Sequence, residues 1–289
     1  GMQGLLCGLL QVLVYKLEKE EIMPHTDGIM QNLLTVLQVK NATCHEEAFS
    51  TISAVCSRLE GDFEKYMQAL SEFLKAGLEN FQSYQVCTIA VGLVGDISRA
   101  IETKIAPYCN DIMTAFVQAL QDQFLHRSVK PSVLSCFGDI ALALGAGYEP
   151  YLQVSVMMLM QASQTSVPED DEDLIDYVNQ LREGVLEAYT GIIQGLKDGN
   201  KVEIIAPYIV AIINFMEVCL VDENRDFQVL GKAAGLLGDI ASAFGPSLKE
   251  HFVKPFVQQL LTVAYQNGDE STQTTCNWAR GEIQRAMQS

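Results

Sequence analysis

Between Val86 and Ile101 the apolar residues Val86, Ile89, Ala90, Leu93, Val94, Ile97, Ala100 and Ile101 recur at intervals of three and four. On a helix of 3.6 residues per turn they make one broad stripe. The same interval recurs along the chain, and no period-two strand or Asn-Gly hairpin interrupts it. The stripes predict helices in alternation. First members of each pair are expected near 24–39, 63–79, 105–121, 148–164, 202–221 and 247–266. Second members are expected near 2–19, 44–60, 84–101, 125–144, 173–196, 226–244 and 270–287.

The second members carry an internal repeat. Gly92-Leu93-Val94-Gly95-Asp96-Ile97, Cys136-Phe137-Gly138-Asp139-Ile140 and Gly235-Leu236-Leu237-Gly238-Asp239-Ile240 share a pattern, with Gly95 and Gly138 separated by 43 residues and Gly138 and Gly238 by 100. Ala188-Tyr189-Thr190-Gly191-Ile192-Ile193 fills the gap as an intermediate copy, and Thr51-Ile52-Ser53-Ala54-Val55 is a fainter one upstream. The period is therefore 42 to 53 residues, the longest interval holding an insertion. A two-helix unit of that length matches the HEAT or armadillo class, in which each unit buries its stripe only by stacking on its neighbours. The expected fold is all-α, a HEAT-repeat α-solenoid wound as a right-handed superhelix. It is read as a single continuous array over 1–289: a partial repeat at 2–19, then helix pairs at 24–60, 63–101, 105–144, 148–196, 202–244 and 247–287.

On a helical wheel Asp96 lies about 90° from the centre of its own stripe, on the side where the next repeat would stack, and Gly95 would allow close approach. Asp96, Asp139 and Asp239 are read first as a structural ladder between repeats, with ligand contact as the alternative.

Composition narrows the function. At 289 residues the chain exceeds one ordinary core, and 48% apolar residues allow packing throughout. Nineteen Lys and Arg against 36 Asp and Glu leave a net charge of −17, which argues against nucleic-acid binding and against anionic lipid, and for a basic partner. Ile204 to Met216, the richest apolar stretch, contains Pro207 and Asn214, so no uninterrupted run of roughly 20 residues is expected to cross a bilayer. The eight dispersed cysteines form no C-x-x-C pair and read as reduced core thiols of a cytosolic or nuclear protein. No basic leader or signal-peptide core is found; Leu5 to Leu17 reads as an apolar helix with no cap before it, so the chain is expected to begin mid-protein.

His25, His45, His126 and His251 are scattered without metal-ligand spacing, and phosphate-loop, dinucleotide and nucleophile-elbow motifs are lacking. Neither a metal, a cofactor nor an enzymatic activity is expected. Two features stand out. In the helix near 173–196 the acidic residues Asp176, Glu183 and Glu187, with Asp173 beside them, project opposite the apolar stripe. They make either an ordinary solvated face or an acidic binding wall. The preceding run Glu169-Asp170-Asp171-Glu172-Asp173 reads as a loop that also places negative charge at a helix N-terminus. The second feature is Trp278, the one tryptophan, which lies roughly 130° from the stripe of Cys276, Ala279, Ile283 and Ala286. It is expected to be exposed, either capping the end of the array or offering a ring on which burial is worth roughly 1.5–3 kcal/mol and a cation about 0.5–2 kcal/mol more.

Several strings are more specific than the periodicity: Gln3-Gly4-Leu5-Leu6-Cys7, Tyr84-Gln85-Val86-Cys87 followed by Val91-Gly92-Leu93-Val94-Gly95-Asp96, His126-Arg127-Ser128-Val129-Lys130-Pro131, Leu186-Glu187-Ala188-Tyr189-Thr190-Gly191-Ile192, and Trp278-Ala279. With these the chain resembles the C-terminal part of the importin-β (karyopherin-β) family from near residue 3 to its end. The resemblance implies a nuclear import receptor whose inner wall of second helices holds the basic importin-β-binding segment of importin-α, or basic cargo, through acidic side chains and tryptophans. Trp278 matches the family tryptophan of the final repeat; the carboxylates come from the wheel. The resemblance also implies Ran-GTP and Phe-Gly nucleoporins as partners of the full-length receptor, location in cytoplasm, nucleus and pore complexes, and a monomer. A HEAT scaffold organising a multiprotein complex without a transport role is the rival reading.

Overall fold

The computed structural model describes residues 2–40, 42–166 and 171–288, and among the described residues every regular element is a helix. The chain divides into two compact units, Gly1–Leu144 and Gly145–Ser289. The first holds α1 (Met2–Lys16), α2 (Thr26–Gln38), α3 (His45–Leu59), α4 (Met67–Leu78), α5 (Tyr84–Ile101), α6 (Cys109–Gln121) and α7 (Lys130–Leu144). The second holds α8 (Glu149–Ser163), α9 (Glu172–Asp198), α10 (Ile209–Val221), α11 (Phe227–Phe244), α12 (Pro255–Asn267) and α13 (Glu270–Gln288). Even-numbered helices open a pair and odd-numbered helices close it, as in a HEAT repeat.

Each pair exists because its stripes need cover. In α5 six of the eight residues of the stripe read from spacing, Val86, Ala90, Leu93, Val94, Ile97 and Ile101, are buried; Ile89 and Ala100 are half-buried, and Cys87, Val91, Gly95 and Ser98 join the buried set. Phe49, Phe63, Phe116, Phe137 and Phe252 are fully enclosed, and each such ring contributes about 1.5–3 kcal/mol relative to exposure. All eight cysteines are buried and free. Burial pushes the Cys109 and Cys219 thiols up to about 12, so they are poor nucleophiles at neutral pH.

Packing between closing helices follows one rule. Thr51 Oγ1 donates to the Cys7 carbonyl at 2.9 Å and Arg58 Nε to that of Val14 at 3.2 Å, each across 44 residues of chain. In the second unit Gln194 Nε2 donates to Asp239 Oδ1 at 3.1 Å and Lys197 Nζ to Ser242 Oγ at 2.5 Å, each across 45. A constant difference in residue number means that the two helices run in the same direction and in register. Antiparallel neighbours would instead pair residues whose numbers have a constant sum.

The opening helices begin later than their stripes suggest. The closing helix ends where Glu60, Glu102, Gly145, Asn200 and Gly245 take φ of 51°, 52°, 56°, 57° and 55°. Seven-residue 3₁₀ segments then carry the chain over Glu60–Tyr66, Glu102–Tyr108 and Val202–Tyr208, so the α-helices start at Met67, Cys109 and Ile209. Pro107 and Pro207 lie inside two of these segments, where no intrahelical N–H is available from them. The helix expected over 247–266 is likewise divided: a short turn at Lys249–Phe252 stops before Pro255, and Lys254 is extended at φ −61° and ψ 136°.

Two longer helical segments are apolar on average although polar residues interrupt both. Arg127–Ser163 and Val202–Val221 are long and apolar enough to cross a membrane by length and composition. Both are built from more than one helical element here, and 50% and 44% of their most apolar windows are buried within the fold.

Candidate partner-binding surface

The surface is built on α9. Its N-cap is Asp171, whose side chain accepts from the Leu174 amide at 3.2 Å, and Glu172 and Asp173 occupy the first turn, where the helix dipole favours anions. Glu169 and Asp170 of the acidic run lie outside the described residues. From the cap, Asp173, Asp176, Glu183, Glu187 and Gln194 follow along one side of α9, while Val178, Leu181, Val185, Tyr189, Ile192 and Leu196 are buried on another.

That side is not uniformly exposed, as the wheel had implied. Asp173 and Asp176 are exposed, but Glu183 and Glu187 are half-buried against α11. Lys232 Nζ reaches Glu187 Oε1 at 2.7 Å, again across 45 residues. Burial pushes the Glu183 carboxyl up from its ordinary range, with Lys232 opposing and Asp226 and Glu187 reinforcing the shift. The cause is the parallel stacking: α11 lies over the flank that a lone wheel leaves to solvent.

The Gly-Asp positions differ between the units. In the first, Arg99 ties two of them together, donating from Nη2 to Asp96 Oδ1 at 2.7 Å and from Nη1 to Asp139 Oδ1 at 3.0 Å. In the second, Asp239 receives Gln194 Nε2 at 3.1 Å and 3.2 Å on its two oxygens. Gln194 is neutral. Burial therefore raises the Asp239 carboxyl to about 6, against the pull of Gln194 and Lys197 and with help from Glu282.

Trp278 completes the surface. Cys276, Ala279, Ile283 and Ala286 bury α13, whereas Trp278 is 41% exposed. Its other side rests on α11: a Cβ placed on Gly238 would lie 2.9 Å from indole Cε3 and 3.0 Å from the Ala279 Cα. One turn along the same helix from the indole, Glu282 forms an ion pair with Arg285. Carboxylates, a neutral amide and an open aromatic face thus share the closing helices α9, α11 and α13. Such a surface can take cations by charge and by ring contact.

Sequence reading missed Arg182, which is 8% exposed and donates from Nη1 to Asp222 Oδ2 at 2.7 Å. Burial alone would raise the Asp222 carboxyl, but the Asn224 amide and the Arg182 guanidinium outweigh it and hold the group below its ordinary range. Arg182 lines a cavity of about 250 Å³ with Ile175, Val178, Asn179 and Asn224. The available signal was an arginine directly after Leu181 in a buried stripe. Among the described residues no group of three or more His, Cys, Asp or Glu side chains could hold a metal ion.

Comparison with known proteins sets this geometry in a family. The family model described as "Importin subunit beta-1-like, TPR repeats" matches residues 1–264. The chain belongs to the importin-β family. Importin subunit beta-1 of Arabidopsis thaliana is 39% identical over 295 residues, covering 99% of this chain and 34% of that protein. Its counterpart in Schizosaccharomyces pombe is 38% identical over 289 residues, covering 98% and 33%. A crystal structure of importin beta in an ammonium sulfate condition superposes with a TM-score of 0.94 at 34% identity, over 99% of this chain and 34% of that one. The chain thus spans about a third of the length of the relatives it matches. Among solved structures, a Kap95:Nup1 complex matches at TM-score 0.89 and 30% identity, over 99% of this chain and 34% of that one. A structure of Kap95p with RanGDP matches at 0.82 and 30%, over 98% and 34%.

Proposed function

We propose that this chain is the part of a nuclear import receptor that binds a basic helix along α9, α11 and α13, the importin-β-binding segment of importin-α or an equivalent segment of basic cargo. The observation that carries the reading is Trp278: a half-open indole set on α11, on a chain of net charge −17. Asp173, Asp176, Glu183 and Glu187 supply the negative field, of which Lys232 screens the Glu187 end. Family membership supports a transport role carried out without chemistry on the partner. The solved structures of Kap95 with Nup1 and with RanGDP concern that relative, and they support nucleoporin and Ran binding by the longer receptor, which would work between cytoplasm and nucleus at the pore.

Binding of a basic helix should weaken steeply with salt, because exposed charges are screened over about 10 Å at 0.1 M. Isothermal titration with an importin-α-type basic helix across a salt series tests this, and a salt-independent affinity would count against it. Trp278→Ala should lower affinity about tenfold or more by removing the ring contact. Unchanged affinity in that variant would take the indole out of the site.

A further inference from the structure

The Gly-Asp pairs repeat in sequence, and the two notches that can be followed in the structure receive different guests. A Cβ on Gly95 of α5 would lie 2.9 Å from Asp139 Oδ2 and 3.4 Å from Arg99 Nη1, so the space beside that glycine takes the carboxylate of the next closing helix. On α11 three glycines in a row take three side chains of α13. At Gly231 and Gly235 the guests are the methyl groups of Thr272 and Thr275, at 3.1 Å and 3.2 Å from an added Cβ. At Gly238 the guest is the six-membered edge of the Trp278 indole, within 3 Å. A threonine methyl can yield by a few tenths of an ångström, but a rigid bicyclic ring can only shift as a whole.

We propose that Gly238 is a positioning residue: the missing side chain at this place seats the Trp278 ring against α11 and so fixes which face of the indole is turned to solvent. The local geometry carries the seating by itself; its consequence for partner affinity rests on the basic-helix reading above. Neither residue would be replaceable alone. An alanine at 238 would lift the ring off α11, and a smaller residue at 278 would leave the notch empty. Gly235 provides the matched control, since an alanine there disturbs the same pair of helices through Thr275 and leaves the indole untouched.

Trp278 is the one tryptophan in the chain, so its fluorescence reports this ring alone. In Gly238→Ala the emission maximum should move to the red and acrylamide quenching should rise, while Gly235→Ala keeps the spectrum of the unmodified chain. Titration with the basic helix should show a loss of affinity of at least fivefold in Gly238→Ala and less than twofold in Gly235→Ala. An unshifted spectrum in Gly238→Ala, or equal shifts in both variants, would overturn the seating. A shifted ring with unchanged affinity would overturn its role in binding. If the unmodified chain binds no basic helix, the partner reading fails while the fluorescence comparison still decides the seat. Should Gly238→Ala not fold, nuclear Overhauser contacts between the Gly238 Hα protons and the indole Hε3 and Hζ3 protons of the unmodified chain decide it, and their absence overturns it.

Discussion

Gln194 donates to both carboxylate oxygens of Asp239, at 3.1 Å and 3.2 Å, where Asp139 of the first unit is held by the cation of Arg99. A buried carboxylate met by a neutral amide is ionised at a cost. The folded Asp239 titrates near 6 against an ordinary value of 3.8, so the fold gains most from this residue when it is protonated. That contribution is present in full below about pH 3.8 and is lost as pH rises toward 6, after which both states are ionised and the loss is constant. Asp239→Asn keeps a partner for Gln194 and removes the charge. It should be more stable than the unmodified chain by about 1–2 kcal/mol at pH 7, after discount for partial exposure, with the gap growing between about pH 3.8 and 6 and level above. Denaturant melts of both chains across that range check it; a gap independent of pH would contradict the assignment.

Lys232 sits within the acidic row and screens Glu187. Lys232→Gln should raise the affinity for a basic helix about threefold, the scale of one exposed ion pair, and the gain should vanish at high salt. Lys75→Gln, placed in α4 of the other unit, should leave affinity unchanged. Equal gains from both would reduce the effect to net charge.

Asp222 is the counter-ion of a guanidinium that is almost wholly enclosed. Asp222→Ala strands that charge and removes the acceptor that its Oδ1 offers to the Asn224 amide at 2.8 Å. The expected loss is about 2–3 kcal/mol, below the range for a fully enclosed pair because Asp222 is partly exposed. Arg182→Met, which fills the same space without a charge, should lose less. Urea melts of the two variants rank them, and the reverse order would argue against an uncompensated charge as the cause.

Glu102 ends α5 at φ 52° and ψ −128°, backbone that glycine adopts freely and that places a glutamate under strain. Gly145 and Gly245 occupy the corresponding place after α7 and α11. Glu102→Gly should therefore raise stability by roughly 1 kcal/mol, visible as an upward shift of the melting temperature. A lower melting temperature would show that the glutamate side chain contributes more than its backbone conformation loses.

How far the fold could be read beforehand depends on how local its causes are. Apolar spacing predicts a helix over 173–196, and α9 runs from Glu172 to Asp198, because that spacing and the Asp171 cap are both written in adjacent residues. The 3₁₀ segments leave little trace in the sequence because Glu60 and Glu102 are not residues that announce a positive φ. The surface was harder still. A wheel drawn for one helix places Glu183 and Glu187 in solvent, and only the neighbouring α11 brings Lys232 and Asp226 beside them. Trp278 was recognised as lying off the stripe, yet the notch that holds it belongs to a helix 40 residues earlier in the chain. Arg182 gets its role from Asp222, which lies beyond the end of the next helix.

The fixed numerical offset between closing helices makes the chain behave like a ruled ledger, in which each line is aligned to the one above by count alone. Deleting one residue from the middle of α9 would turn everything after it by about 100° and unhook Glu187 from Lys232, Gln194 from Asp239 and Lys197 from Ser242 in a single step. Lengthening the connection between α8 and α9 would touch none of the three. Evolutionary change in length should accordingly be confined to the connections, and the helices α9 and α11 should tolerate changes of residue far better than changes of number.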